Sequence, residues 1–539
     1  MTENKGQNYL HGAVILTIAV VIIKILGFIY KVPLGNILGD EGFAHFNVAY
    51  NLYNVLLTLS TAGLPIALAR LVSESSTLGR VNQTRRTYHV ALAAFVVLGT
   101  LGSAVMFLFP TELAVFMEDA EASQSIMAMA PSVLLVCVMS AYRGYTQGHS
   151  DMRPTSVSQV LEVAVKVFFG IGLVLILRRT TDSLPMLSAA AISGVSVGSL
   201  VACAYMGVQA GRRSRSYRLP EGGYQDIPDK KGVVLARLVR TGIPIALGSC
   251  VLSVITLVNT KLILARLQSG AGFGNDEAVV LFGVYSKALT LYNLPAAFIT
   301  PLTVSIIPAI SGYLAARNHT EATKVVESSL RIAAIIALPM AVGLSVLSKP
   351  IMECIYAGSA AEGPMLLAIM GVASFLVCLS LMTTAILQAS GREKLPMYTM
   401  LVGGGLNIVL NWFLVGNPNV NIYGAPIGTL MCYVIMSGMN LWFICTKLPE
   451  RPHLGRAFAK PLFTCLVMGA SAWIVYYGAL SVYPALESSR MLHLLALAAA
   501  IGVAVIVYAV LTVCSRAITL EDMKLIPKGE KIAKLLKIR

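Results

Sequence analysis

Formal charges are rare inside the apolar stretches of this chain, and most of them are positive. Lys24, Lys261 and Lys287 each lie within a run of apolar residues, and Glu162 and Lys166 share another. A charged group at the centre of a bilayer costs about 2.5–3.5 kcal/mol, so such side chains face a polar interior or reach the interface along their own stems. The excess of lysine predicts that the interior is basic and that it binds an anionic molecule.

The one carboxylate found deep inside a predicted apolar span lies close in sequence to a lysine. Glu162 and Lys166 are four residues apart, which places both side chains on one face of a helix. Two interpretations stand. The pair either neutralises itself so that the helix can cross the membrane, or it takes part in coupling, with Glu162 exchanging a proton or a cation. Lys261 and Lys287 likewise fit either a cavity or a position near an interface.

Side-chain amides form a second polar pattern. Asn47, Asn51 and Asn54 have the i, i+4, i+7 spacing of a single helical face, and Asn293 follows the same Leu-Tyr pair as Asn54. We interpret Asn51 and Asn54 as part of a polar cavity face. The alternative is that these amides hydrogen-bond neighbouring membrane helices to one another.

The elements that must position these residues are membrane helices. The chain has 539 residues, of which 56% are hydrophobic and only 12% charged, far outside the range of soluble domains. It therefore predicts an all-α polytopic membrane protein with about 14 transmembrane helices, each of about 20 apolar residues. The predicted spans are 11–33, 44–69, 87–110, 124–142, 155–177, 185–210, 241–264, 279–312, 332–348, 364–389, 397–416, 422–446, 461–480 and 491–514. The first span contains Lys24 and lacks a small-residue cleavage site, so we expect it to be retained as a helix.

The basic residues are distributed unevenly between the predicted loops. Most of the 41 lysines and arginines fall on one side of the inferred membrane. The positive-inside rule then places both termini in the cytoplasm, which requires an even number of spans. Because these charges flank membrane helices, the net charge of +15 does not indicate nucleic-acid binding.

Short motifs recur at a nearly constant spacing and indicate an internal duplication. Leu52-Tyr53-Asn54 recurs as Leu291-Tyr292-Asn293, and the order Gln147, Pro154 recurs as Gln388, Pro396. A duplicated unit of six spans gives two parallel six-helix lobes. The predicted domains are an N-lobe at 1–211 (spans 1–6), a cytoplasmic linker at 212–232, a C-lobe at 233–446 (spans 7–12), and a final helix pair with a basic cytoplasmic tail at 447–539.

Enzymatic chemistry has no visible support in the sequence. The extracytoplasmic connections are short, no nucleotide-binding loop or His-Glu-x-x-His motif occurs, and the nine cysteines form no Cys-x-x-Cys pair. We expect no enzyme activity, no cofactor and no metal site.

Several motifs together resemble one family of membrane proteins: Ile23-Lys24-Ile25-Leu26-Gly27-Phe28, the turn Gly39-Asp40-Glu41-Gly42, Ala62-Gly63-Leu64-Pro65, and Tyr292-Asn293-Leu294-Pro295 leading to Ile306-Ile307-Pro308. The chain resembles the lipid II flippases of the MurJ type, in the branch that includes the stage V sporulation protein B-like polysaccharide exporters. This branch lies within the multidrug/oligosaccharidyl-lipid/polysaccharide (MOP) superfamily.

The resemblance implies a V-shaped pair of lobes, a central cationic cavity for a diphosphate and its sugars, and a groove for the lipid tail at the final helix pair. The family has functional arginines in its first, second and eighth helices. Lys24 matches the first of the first-helix arginines and keeps its positive charge, and Tyr30 and Lys31 lie at or near the next basic position of that helix. The second-helix arginine falls near Leu57, which is not basic. The eighth-helix arginine matches Thr290. The implied substrate-binding set is Lys24, Lys31, Lys261, Lys287, Asn51, Asn54, Thr290 and Asn293.

The leading functional hypothesis is a flippase in the cytoplasmic membrane of a bacterium. It would translocate an undecaprenyl-diphosphate-linked cell-wall precursor, lipid II or a related lipid-linked oligosaccharide, by alternating access. Such a role belongs to peptidoglycan or polysaccharide biosynthesis, either in growth or in sporulation. The expected partners are membrane lipids and cell-wall synthesis enzymes. Coupling to the membrane potential, Na⁺ or H⁺ stays open.

Two alternatives remain. A multidrug and toxin extrusion-type cation antiporter would need an unpaired intramembrane carboxylate, for which Glu162 is the candidate. A membrane scaffold without transport activity would tolerate the loss of every buried lysine.

Overall fold

The computed structural model describes residues 3–216, 226–448, 450–482 and 490–518. Within these ranges the fold is entirely helical, as the apolar composition predicts. The first half contains α1 (Glu3–Ile37), α2 (Gly39–Ala62), α3 (Leu64–Thr77), α4 (Val81–Leu108), α5 (Pro110–Phe116), the 3-10 turn η1 (Ala120–Ala122), α6 (Ser123–Gly148), α7 (Arg153–Leu177) and α8 (Leu184–Ser216). The second half contains α9 (Lys231–Ser269), α10 (Asn275–Tyr292), α11 (Leu294–Ala315), α12 (His319–Val346), α13 (Ser348–Ile355), α14 (Gly363–Ala389), α15 (Lys394–Val415), the turn η2 (Asn421–Tyr423), α16 (Gly424–Lys447), α17 (Leu454–Val482) and α18 (Arg490–Cys514).

Thirteen helices of the described residues are long and apolar enough to cross a membrane. The remaining predicted span, 44–69, is divided between α2 and α3, which meet at Gly63. The predicted span 279–312 is also divided, because α10 ends at Tyr292 and α11 begins with Leu294-Pro295. Proline is favoured in the first turn of a helix and disfavoured inside one, so the Leu-Pro pairs mark where α3 and α11 restart.

The order of helices α1–α8 recurs in α9–α16. The correspondence includes the short helices, since α5 follows α4 as α13 follows α12. The pair α17 and α18 comes after the second copy and packs on α12, where the Tyr508 hydroxyl donates to the carbonyl of Ile335 at 2.7 Å. Most of the basic tail and the middle of the predicted linker, at 519–539 and 217–225, lie outside the described residues.

The chain forms two compact units that divide within α9 and α10. The first unit contains Met1–Ala265 and Asn275–Val279, and the second contains Arg266–Gly274 and Val280–Arg539. The boundary predicted from the sequence lies before α9, at 212–232, whereas α9 as far as Ala265 falls within the first unit. The reason is close helix contact: a Cβ on Gly63 would lie 2.5 Å from the backbone nitrogen of Ala246, so the two backbones approach more closely than other residues allow.

Small residues also bring α7 close to α8. Gly194 and Gly198 form a Gly-x-x-x-Gly pair on α8, a spacing that lets membrane helices pack at short range. A Cβ on Gly194 would lie 2.7 Å from the carbonyl oxygen of Lys166, and Gly198 faces the carbonyl oxygen of Glu162. This contact fixes the part of α7 that contains both charged residues.

The segment before α9 is bound to the N-terminus of α4. The Asp226 carboxylate accepts the backbone N–H groups of Asn82 and Gln83, each at 2.8 Å. The Gln83 side chain accepts the backbone N–H of Asp229 at 2.7 Å, and Arg86 donates to the Asp229 carbonyl at 3.1 Å. A carboxylate at this position pairs with N–H groups that have no partner within the helix. We call this set of bonds the Asp226 clasp.

Candidate functional site

Three lysines from two packed helices come together in the first unit. Lys24 and Lys31 lie on α1 and Lys166 lies on α7, which packs against α1. The charges of both Lys24 and Lys166 act on that of Lys31. Lys24 is exposed, whereas Lys31 and Lys166 are half-buried. We call these three residues the lysine cluster.

Two tyrosine rings lie beneath two of the three ammonium groups of the lysine cluster, those of Lys31 and Lys166. The Lys31 Nζ is 5.3 Å from the centroid of the Tyr50 ring. The Lys166 Nζ is 5.2 Å from the Tyr30 centroid and 5.7 Å from the Tyr50 centroid. These distances are typical of cation–π contacts, which hold an ammonium group without neutralising its charge.

The tyrosines are themselves held by aromatic packing. The Tyr30 ring is buried and its hydroxyl donates to the carbonyl of Ala191 at 2.7 Å. Phe46 lies between the two tyrosines, with ring centroids 5.9 Å from Tyr30 and 5.9 Å from Tyr50. The amide of Asn47 on the same helix accepts from the Lys31 Nζ at 3.5 Å. The Tyr30 and Tyr50 rings are therefore held in place by neighbouring side chains and by the backbone of α8.

Glu162 does not pair with Lys166 as the sequence predicts. Its carboxylate receives the Arg143 guanidinium at 3.0 Å and the Ser199 hydroxyl at 3.2 Å. The Arg143 Nε also donates to the Ser158 hydroxyl at 3.1 Å. Of the two interpretations of Glu162, the self-neutralised pair with Lys166 is not the arrangement seen, because α6 brings Arg143 to this carboxylate. Among the described residues, no carboxylate forms an ion pair with any member of the lysine cluster.

The asparagine face predicted on α2 forms a hydrogen bond to α9 through Asn51. Asn51 donates to the Thr260 hydroxyl of α9 at 3.0 Å, and Thr58 on the same helix lies 2.8 Å from the Ser253 hydroxyl. This is the interhelical hydrogen bonding that the sequence analysis held as the alternative for Asn51. Asn54 is half-buried, and its backbone carbonyl accepts from Thr58.

The other two predicted lysines, Lys261 and Lys287, each contact an aromatic ring other than Tyr30 and Tyr50. Lys261 is half-buried on α9 of the first unit, with its Nζ 3.5 Å from the centroid of the Phe116 ring of α5. Lys287 belongs to the second unit and is only 1% exposed, with its Nζ 5.4 Å from the Tyr356 centroid. The expectation that Lys287 lines an open cavity does not describe this structure, because its side chain is enclosed.

The remaining predicted residues follow Lys287 along the chain. Thr290 is buried on α10 and donates to the carbonyl of Ser286 at 3.1 Å. Asn293 is exposed at the break between α10 and α11, and its amide donates to the Leu289 carbonyl at 2.7 Å.

Arg143 and Tyr50 are parts of this site that the sequence did not identify, and Tyr30 was named only as lying at or near a basic position of the resembling family. The predicted span 124–142 ends just before Arg143, although α6 continues to Gly148. Gly144 follows Arg143 directly and weakens the helical pattern there, so no clear sequence signal carries the helix on to Gly148. No signal marks Tyr50 either, since an aromatic residue in an apolar helix is usually a packing residue.

Two family models match the chain. A model described as Polysaccharide biosynthesis protein matches residues 9–314, and a model described as MatE matches residues 244–413. The chain is 27% identical over 533 residues to the uncharacterized membrane protein YabM of Bacillus subtilis (strain 168), with 98% of this chain and 96% of YabM covered.

Two further Bacillus subtilis (strain 168) proteins match over nearly the whole chain. Identity to stage V sporulation protein B is 24%, with 97% of this chain and 98% of that protein covered. Identity to lipid II flippase MurJ is 23%, with 93% and 95% covered.

Solved structures show the same fold. A lipid II flippase MurJ in an inward closed conformation matches with a TM-score of 0.70 and 14% identity, covering 93% of this chain and 99% of that one. An inward-facing MATE family transporter of the MOP superfamily matches with a TM-score of 0.62 and 14% identity, covering 80% and 97%. The resemblance to this superfamily is confirmed, and the chain is a multi-pass membrane protein.

Proposed function

This chain belongs to the polysaccharide biosynthesis protein family, and on that premise we propose that it is a flippase for a diphosphate-linked glycan lipid. The observation that supports the proposal is the lysine cluster, in which three cations share a polar site without a carboxylate partner among the described residues. A diphosphate is the anionic part of an undecaprenyl-linked precursor. Lipid II or a related lipid-linked oligosaccharide is therefore the proposed cargo.

The chemistry required of the site is binding and release. Lysine binds phosphate as a point charge and lacks the two-pronged grip of arginine, so each contact is adaptable and reversible. The rings of Tyr30 and Tyr50 hold Lys31 and Lys166 in place before the ligand arrives. A cargo that is moved and left chemically unchanged needs no catalytic residue, and we propose that the protein has no enzyme activity.

The proposed setting is the cytoplasmic membrane, with both termini in the cytoplasm, on the strength of the basic loops. An anionic head group moving outward would gain about 2.3 kcal/mol per charge for each 100 mV of membrane potential. The potential alone can thus favour export, with alternating access as the proposed route and Na⁺ or H⁺ as possible coupling ions.

A reconstituted transport assay tests the proposal. Purified variants Lys31→Met and Lys166→Met, alone and combined, are compared with Lys394→Met, which removes an exposed lysine at the start of α15. The readout is movement of a fluorescent undecaprenyl-diphosphate glycan between the leaflets of proteoliposomes. Because a hydrogen bond to a charged group contributes about 1.5–3 kcal/mol, each single variant should slow transport by about tenfold or more. Lys394→Met should keep the full rate.

The assay also has a result that contradicts the proposal. Wild-type transport by the folded double variant, with folding checked by gel filtration, would show that the lysine cluster does not bind the cargo. Transport of other anionic lipids at the same rate would show that the diphosphate is not what is recognised.

A cation antiporter is the second candidate, because the MatE model matches residues 244–413. Such a protein needs a carboxylate free to exchange a proton or Na⁺, but Glu162 is bound to Arg143. An efflux assay with organic cations separates the two functions. Efflux by the wild type that is lost in Glu162→Gln, in protein shown by gel filtration to be folded, would favour the antiporter.

A further inference from the structure

One histidine and three carboxylates converge where α2 begins. His45 lies on α2, with Glu41 one turn before it. Asp119 and Glu121 come from the connection between α5 and α6. His45 and Asp119 are each only 1% exposed, so this is a built pair and not a chance meeting of surface charges.

The hydrogen bonding of His45 defines which ring nitrogen is available. Its Nδ1 lies 2.8 Å from Oδ1 and 2.9 Å from Oδ2 of Asp119, so the Nδ1 proton is donated to that carboxylate. The neutral ring then has its lone pair on Nε2. This Nε2 is fully buried and has no hydrogen-bond partner in the described part of the chain.

The two other carboxylates surround the Nε2 atom. Glu121 Oε2 is 3.4 Å from it and Glu41 Oε1 is 4.0 Å from it. One oxygen of each glutamate and the ring nitrogen all lie within 4.8 Å of one another. A single ion placed among three such atoms could contact all of them after small side-chain movements.

We propose that Glu41, His45 and Glu121 bind a divalent transition-metal ion of the Zn²⁺ class. An imidazole nitrogen with two carboxylate oxygens is a donor set that suits Zn²⁺, with a fourth position left for water. Asp119 completes the arrangement, because a histidine that binds a metal usually donates its other ring N–H to a carboxylate. The cysteine and motif patterns of the sequence pointed to no metal site, since these ligands are distant in the chain and are joined only by folding.

The ion would connect the start of α2 to the α5–α6 connection within the first unit. None of its ligands belongs to the lysine cluster, so the inference does not depend on the proposed cargo. In the proposed membrane orientation both segments face the outside of the cell, where the ion would enter.

Metal binding to the purified full-length protein tests this site. After treatment with a chelator, the protein is titrated with Zn²⁺ in the presence of a chromophoric competitor, and bound metal is measured by elemental mass spectrometry. The expected result is one Zn²⁺ per chain and much weaker binding of Ca²⁺. Asp119→Asn should weaken binding by about 10- to 100-fold, because it removes the group that orients His45.

The decisive variant combines Glu41→Gln with Glu121→Gln, because it leaves the buried His45–Asp119 pair intact. It should lose Zn²⁺ binding, while the matched control Glu112→Gln, an exposed acid of α5, should bind as the wild type does. The absence of Zn²⁺ from the wild type, equal affinity in the double variant, or Ca²⁺ binding as tight as Zn²⁺ binding would each overturn the proposal.

Discussion

Removing either charge of the Arg143–Glu162 pair should destabilise the protein strongly. The two groups are 3.0 Å apart, and their side chains are only 12% and 19% exposed. We predict that Arg143→Met and Glu162→Gln each lower the free energy of unfolding, and that the double variant loses less than the sum of the two.

The distance and the burial set the size of the effect. At 3.0 Å and an effective dielectric constant of about 20, the attraction is about 5 kcal/mol before desolvation is subtracted. Removing one partner of a buried pair leaves the other charge uncompensated, which costs about 3–5 kcal/mol. The interaction energy between the two substitutions should then be about 2–3 kcal/mol.

The assay is a double-mutant cycle on the free energy of unfolding, measured by denaturant titration in detergent micelles with circular dichroism. Lys324→Met and Glu321→Gln provide a matched control cycle, because that pair is 2.8 Å apart but its side chains are 48% and 43% exposed. An exposed pair of this kind should show an interaction energy of less than about 1 kcal/mol.

A second cycle, Lys166→Met with Glu162→Gln, decides between the two arrangements of the carboxylate. If Glu162 couples more strongly to Lys166 than to Arg143, the pair predicted from sequence is the real one and our reasoning is refuted. Lys166 would then be neutralised, and the lysine cluster would lose one of its free charges.

Three further predictions concern the parts that position the site. Replacing Tyr50 by Leu removes a ring beneath two lysines, so affinity for undecaprenyl diphosphate should fall by about 2- to 30-fold in a fluorescence binding assay, while Tyr50→Phe keeps the ring and the affinity. Gly63→Ala forces a Cβ against the backbone of α9 and should cost about 1–3 kcal/mol, seen as a lower unfolding temperature, whereas Gly27→Ala meets no atom within 4 Å and should be silent. Asp226→Ala removes the cap of α4 and should cost about 0.5–2 kcal/mol in the same measurement, against no change for the exposed Asp276→Ala.

Much of the fold could be predicted because membrane helices need long apolar runs, and such runs are visible in the sequence. The positions at which a predicted span divides into two helices were harder to predict. Gly63 interrupts the second predicted span because its backbone contacts α9, a contact between segments far apart in the chain. Similarly, α9 packs with the first unit, although the spacing of repeated motifs suggests that it begins the second lobe.

The lysines of the candidate site could be identified from the sequence, but the side chains that contact them could not. Lysines in apolar helices are conspicuous, because burying a charge is costly. Their neighbours depend on how α1, α2, α6 and α7 pack, and no local pattern reports that packing. Arg143 was hidden by its nearness to basic loop residues. The pairing of His45 with Asp119 was hidden because the two residues are 74 positions apart in the sequence.

The Asp226 clasp has a consequence for how the polypeptide can be divided. It joins the residues just before α9 to α4 through several hydrogen bonds, and α9 itself packs on α2 and α3 within the first unit. A cut between residues 217 and 225 therefore severs the covalent link between the two copies of the helix repeat and leaves α9 bound non-covalently to the first copy. Two separately encoded fragments, divided at this point, should reassemble when they are synthesised in the same cell. The fold thus provides a natural location for a split protein, in which each half can be labelled independently.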